Sequence, residues 1–171
     1  MKIELETKYI KYFNMMKNRP NENLFYITIT DVKINTIKGY RSKVRSGVFT
    51  PLRKHTLSKG LGCDCIITIE YDPELGKGSL KMIDEIVLHA HILFSAEIKE
   101  ERLSQIINNH FGSGENIDII DITNSDTKDF SCGYHFKQKD ILTDDNFLFH
   151  IREVDKNKYK KRMNNNVGFC A

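Results

Sequence analysis

The sequence predicts an α+β fold in which a central antiparallel sheet of about five strands carries helices on its faces. Three observations lead there. Short runs of branched and aromatic residues recur along the chain, segments of helical period stand between them, and strong turn chemistry joins two of the runs as a hairpin. Hairpins mixed with longer crossovers favour an antiparallel sheet over an all-parallel one.

Each element follows from local chemistry. Ile3, Leu5, Tyr9, Ile10, Phe13 and Met16 recur at loosely helical spacing and predict a helix from about Ile3 to Lys17. Arg19-Pro20-Asn21 stops it, because proline disfavours helical geometry in the residue before it. Leu24 to Thr30 reads as a strand whose imperfect alternation implies burial on both faces. Thr36 to Arg45 predicts a short helix, followed by a loop to Leu61, because Gly47, Pro51 and Gly60 interrupt the pattern. Cys65 to Tyr71 is a second strand. Asp72-Pro73 and Gly76-Lys77-Gly78-Ser79 turn it back into a third, Ile86 to Phe94. Ala96 to His110 predicts an amphipathic helix with acids in its first turn, stopped at Phe111-Gly112-Ser113-Gly114. Asn116 to Thr123 is a fourth strand. Ser125, Asp126 and Asp129 start a helix to about Gln138, although Gly133 weakens its middle. Asn146 to Val154 is the last strand, and a basic tail follows from about residue 155.

Composition narrows the class. A chain of 171 residues with 40% hydrophobic and 29% charged residues is a single globular domain, 1–171, and not a disordered chain. No apolar run approaches membrane-spanning length, and Met1 to Tyr9 is no signal peptide, so a cytoplasmic, non-secreted protein is expected. Cys63, Cys65, Cys132 and Cys170 lack the spacing of a zinc ribbon, and reduced thiols are the expectation. The net charge of +3 is modest, but its distribution is not. From Val32 to Cys63 the chain carries Lys33, Lys38, Arg41, Lys43, Arg45, Arg53, Lys54 and Lys59 with no acid, a pattern suited to a polyanionic partner.

The chemistry concentrates on the third strand. Side chains alternate along a strand, so His89 and His91 share one face while Leu88, Ala90, Ile92 and Phe94 cover the other. Two imidazoles side by side on a rigid strand can hold one divalent metal ion. If the hairpin turns about Gly78 and Ser79, Glu70 falls opposite His89 and supplies a carboxylate; Asp72 and Glu85 are the alternatives.

Taken in order, Phe25-Tyr26-Ile27-Thr28-Ile29-Thr30, then His89-Ala90-His91, then Tyr134-His135-Phe136-Lys137 resemble the motifs of the HUH endonucleases. Within them, the resemblance is to the nuclease domain of rolling-circle replication initiators of small circular DNA viruses and plasmids. It spans roughly Leu24 to Val154 and rests on the order of the motifs, since a second Tyr-x-x-Lys, Tyr40 to Lys43, precedes the histidines. The hairpin is longer than those initiators suggest, and no Walker-type Gly-x-x-x-x-Gly-Lys motif of a helicase domain is present. The resemblance implies a ferredoxin-like or RRM-like sheet. It also implies an enzyme that nicks and joins single-stranded DNA or an origin hairpin, with host replication machinery as a further partner. Mn²⁺ or Mg²⁺ would sit on His89, His91 and Glu70, with Tyr134 as nucleophile assisted by Lys137. Lys33, Lys38, Tyr40, Arg41, Lys43, Arg45, Arg53 and Lys54, with Phe49, would contact DNA by phosphate pairing and base stacking. Transposase- or relaxase-type nucleases and a non-catalytic nucleic-acid-binding module are the competing expectations.

Overall fold

The computed structural model describes residues 2–31, 36–71, 88–111, 117–125 and 146–152. In chain order these form α1 (Lys2–Lys17), β1 (Asn23–Asp31), α2 (Ile37–Val44), α3 (Thr50–Ser58), β2 (Cys63–Tyr71), β3 (Leu88–Ala96), α4 (Glu100–Phe111), β4 (Ile117–Asp121) and β5 (Phe147–His150). The strands make one five-stranded sheet in the order β4-β1-β3-β2-β5, with every neighbouring pair antiparallel. The first four strands have the order of a ferredoxin-like sheet, and β5 extends its β2 edge. The predicted fold class is the observed one. The predicted helix beyond Ser125, the hairpin turn and the basic tail lie outside the described residues.

Strand alternation sorts the core into two layers. Phe25, Ile27 and Ile29 of β1, Cys65, Ile67 and Ile69 of β2, and Ala90, Ile92 and Phe94 of β3 face α2, α3 and α4. On the opposite face Tyr26, Ile66 and Leu93 pack with Tyr9, Phe13 and Met16 of α1. β3 lies at the centre with a partner on each side, so its side chains are buried from Ala90 to Ala96. That explains the continuous apolar reading of this strand.

Two predicted boundaries move. The loop expected between Arg45 and Leu61 is helical as far as Ser58: α2 passes through a π turn, Arg45–Phe49, directly into α3. Pro51 has no N–H to donate, and the wider turn absorbs this break, with the Thr50 N–H reaching back to the Arg45 carbonyl. Gly47 lets this turn lie against α4, since a Cβ there would stand 2.9 Å from the Phe111 ring. The second shift concerns Ala96, which was expected to open a helix. It pairs instead with Asn23 on one side and Cys63 on the other, and α4 begins only at Glu100. Ladder bonds to two flanking strands outweigh alanine's helix propensity here.

At one end of the α1 face, buried Asp64 ties the last described residues to the sheet. Its carboxylate accepts from Arg19 Nε at 2.6 Å, from the Arg152 backbone N–H at 2.8 Å and from Arg152 Nη2 at 2.9 Å. Arg152 also donates to Glu22 at 2.6 Å, so the two arginines and two acids close a network. Burial pushes the Asp64 carboxyl up, but the hydrogen bonds from Arg152 and Arg19 outweigh it and hold it below its ordinary value.

Candidate metal centre

The register of β2 on β3 places Glu70 directly opposite His89 and Thr68 opposite His91. The Glu70–His89 pairing is the expected one, although its register centres on Ser79 and Leu80, which displaces the pairing by two positions from that of a strict turn at Gly78 and Ser79. On the other flank, Thr30 and Thr28 of β1 face the same two histidines. Both imidazoles lie on the α1 side of the sheet, His91 one row and His89 two rows beyond Tyr26, Leu93 and Ile66.

The three side chains converge. Nε2 of His89 and Nε2 of His91 each stand 3.3 Å from Glu70 Oε2. The two rings meet edge to face, 4.8 Å between centroids. One ligand atom from each of Glu70, His89 and His91 lies within 4.8 Å of the others, a spacing that one ion can bridge. Glu70 is only 2% exposed and His91 6%, so the carboxylate sits where water solvates it poorly. Burial works to raise the Glu70 carboxyl, yet hydrogen bonds from His89 and His91 pull it down to about 2. The site therefore holds a negative charge under two imidazoles.

Two further atoms bear on whether the residues fit a cation. Glu70 Oε1 and His89 Nδ1 are buried and lack hydrogen-bond partners among the described residues. A buried carboxylate oxygen with no donor is costly unless something positive reaches it. The donor set, two imidazole nitrogens and a carboxylate, suits a divalent transition metal. A possible metal-binding triad of Glu70, His89 and His91 is present, with Glu70 as the geometrically placed carboxylate.

His91 has a partner that sequence reading did not assign. Tyr26 Oη lies 2.6 Å from His91 Nδ1, and the two rings stack at 5.6 Å between centroids. Tyr26 stands opposite Leu93 on the neighbouring strand and reaches His91 diagonally. The sequence shows Tyr26 two residues before Thr28, but only the choice of β1 as the partner of β3 makes the pair visible.

Other predicted residues are distributed differently. Tyr134, Lys137, Lys33, Asp72 and Glu85 lie outside the described residues. Tyr40 and Phe49 are not base-stacking platforms. Both are buried in the layer between helices and sheet, and the Tyr40 hydroxyl donates to the Ile29 carbonyl at 2.7 Å. Lys38, Arg45, Arg53 and Lys54 are exposed on the α2 to α3 arm, while Arg41 and Lys43 are half-buried. Lys43 also lies over the Phe111 ring, 4.9 Å from its centroid. This arm covers the sheet face opposite the histidines, so its cations do not line the candidate metal centre. Cys63 and Cys65 are buried free thiols, and burial pushes the Cys63 thiol up to about 11, which suits packing rather than reaction. Among the described residues, no helix is long and apolar enough to cross a membrane.

Fold and site together define an α+β protein with a candidate two-histidine, one-carboxylate metal centre on the central strands of its sheet. No protein family and no curated protein matches the chain. Among solved structures, it is similar to the hypothetical protein ORF119 from Sulfolobus islandicus rod-shaped virus 1, at 16% identity and a TM-score of 0.46. The likeness covers 80% of this chain and 96% of that one.

Proposed function

We propose that this chain is a metal-dependent endonuclease of HUH type, nicking and joining single-stranded DNA in the manner of a rolling-circle replication initiator. The observation that carries the reading is the meeting of His89, His91 and Glu70, with both Nε2 atoms 3.3 Å from one carboxylate oxygen. Motif order points to His89 and His91, and the carboxylate that converges on both Nε2 atoms supports that reading. Mn²⁺ is the better candidate than Mg²⁺, because imidazole nitrogen is a softer ligand than the all-oxygen shell Mg²⁺ favours. When bound, the ion supplies positive charge that offsets the phosphodiester's own and polarises its oxygens.

The chain's own residues have separate tasks. The rigid strands β2 and β3 fix the imidazoles and carboxylate before DNA arrives, which lowers the ordering cost of binding. By its place in the motif order, Tyr134 supplies the nucleophile. Its phenolic oxygen forms a bond to phosphorus as the bond to the 3′ oxygen breaks. The 3′ oxygen takes a proton and leaves as a hydroxyl, while the 5′ side stays on the tyrosine. Lys137, one helical turn on in the expected helix, favours the phenolate by its charge. The released 3′-hydroxyl can prime synthesis, and its attack on the phosphotyrosine reverses the step and rejoins the strand.

Labelled single-stranded oligonucleotides incubated with the protein and Mn²⁺ test this directly. A labelled adduct that survives denaturing electrophoresis, disappears with chelator and is absent in Tyr134→Phe is the expected result. An adduct that persists in Tyr134→Phe removes Tyr134 as nucleophile and makes Tyr159 the next residue to substitute. DNA binding without any adduct or cleavage favours the second reading, a non-catalytic nucleic-acid-binding module. The exposed cations of the α2 to α3 arm, on the face away from the histidines, are what speak for it.

A further inference from the structure

We propose that Tyr26 is the positioning residue of the candidate metal centre, holding His91 by Nδ1 so that Nε2 faces Glu70 and is the atom offered to an ion. The inference rests on the metal reading above and adds a residue to it. Its basis is an asymmetry between the two histidines. His91 Nδ1 lies 2.6 Å from the Tyr26 hydroxyl, with Thr28 Oγ1 a longer contact at 3.5 Å, whereas His89 Nδ1 is buried with no partner among the described residues.

The choice of a hydroxyl matters. In the unloaded site Nε2 of His91 faces Glu70 Oε2 at 3.3 Å, and a carboxylate there favours a proton on Nε2. Nδ1 is then an acceptor, and the Tyr26 O–H donates to it. Ligation through Nε2 requires that nitrogen to lose its proton, and a neutral ring then carries its proton on Nδ1. One proton leaves Nε2 and one is taken up at Nδ1, so the ring's charge is unchanged. Nδ1–H must now find an acceptor, and the same Tyr26 oxygen provides it. A backbone carbonyl could satisfy only the second arrangement; a hydroxyl, both donor and acceptor, satisfies both.

The position of Tyr26 is secured from behind. Its ring belongs to the apolar cluster beneath α1, with Leu93, Ile66 and Phe13, and is 4% exposed. The aromatic body is thus fixed by packing while the hydroxyl emerges at the border where the histidine row begins. His89 Nδ1 has no such tether among the described residues, and its ring is held only through Nε2 on Glu70 and its edge-to-face contact with His91.

Long-range ¹H–¹⁵N correlation on uniformly labelled protein reads the His91 tautomer, with Zn²⁺ as a diamagnetic probe. The expected result is Nε2–H without metal and Nδ1–H with it. Titration calorimetry with Mn²⁺ on wild type and Tyr26→Phe, both checked for fold by circular dichroism, is the second arm. Loss of a partner to a ligating histidine weakens metal binding about 10–100-fold. Equal Mn²⁺ affinity in the two proteins, or one His91 tautomer throughout, overturns the role of Tyr26 while leaving the metal centre standing. No Mn²⁺ or Zn²⁺ binding by wild type overturns both. If Tyr26→Phe does not fold, the tautomer measurement on wild type decides alone.

Discussion

Replacing Glu70 by glutamine separates a metal ligand from a merely structural carboxylate. The substitution keeps size and shape, so its cost is electrostatic. Without metal, Oε2 receives both imidazole Nε2 groups at 3.3 Å. A glutamine amide can keep its oxygen facing both rings only by placing its N–H₂ where the unpartnered Oε1 lies, and a buried donor left unmatched costs about 1–3 kcal/mol. Metal adds a second, independent quantity. A ligand that binds only the folded state stabilises it by about 2.7 kcal/mol at a hundredfold excess over its dissociation constant. For a domain of this size that corresponds to a rise of roughly 5–11 °C in Tm, at about 2–4 °C per kcal/mol. The assay is thermal or urea unfolding of wild type and Glu70→Gln, each with chelator and with graded Mn²⁺. We expect Glu70→Gln to start about 1–3 kcal/mol below wild type and to gain far less from Mn²⁺, so the gap widens as metal is added. A gap that stays constant from chelator to saturating Mn²⁺ would falsify Glu70 as a ligand, whatever its structural value.

Three further outcomes test other parts of the structure. Asp64 is held below its ordinary carboxyl value of 3.8, so its contribution is complete above that value and is lost as pH falls through the lower value of the folded state; Asp64→Asn should be destabilised by about 3–5 kcal/mol at pH 7 and should lose less stability than wild type in an acid unfolding series. Gly47→Leu forces a side chain into the Phe111 ring and should cost about 1–3 kcal/mol in urea denaturation, whereas a similar change at exposed Ser46 should be nearly silent. Neutralising Lys38, Arg45, Arg53 and Lys54 together should flatten the salt dependence of any single-stranded DNA binding measured by fluorescence anisotropy, yet leave Mn²⁺ affinity unchanged, because those cations lie across the sheet from the histidines.

The contrast between Glu70 and Tyr26 shows which parts of the site a sequence can reveal. Glu70 was legible in its face rather than its exact register: a strict two-residue turn at Gly78 and Ser79 would set Val87 opposite it, and the observed register, displaced by two, keeps the same face and brings His89 there. The His89 and His91 alternation was legible for the same reason, since period two is a property of any strand. Tyr26 was not legible as a partner. Its contact crosses from β1 to β3, two strands separated in the chain by α2, α3 and β2, and nothing local sets that pairing. The π turn was hidden by a similar conflict between levels. Gly47 and Pro51 break a helix by propensity, yet burial of Val44, Val48 and Leu52 against the sheet holds the backbone helical through them. Tyr40 failed in the opposite direction: a tyrosine among the eight lysines and arginines between Val32 and Cys63 reads as a DNA-contacting ring, but a helix has an inner side, and Tyr40 is on it. Charge patterning along the chain locates a basic element without saying which layer it joins. Here it joins the layer away from the candidate metal centre, so under the proposed function DNA held by that arm and DNA at the histidines would meet different faces of one sheet. A strand reaching both would have to pass an edge of the sheet, β4 or β5, and residues on those edges are the next place to look for contacts that couple binding to chemistry.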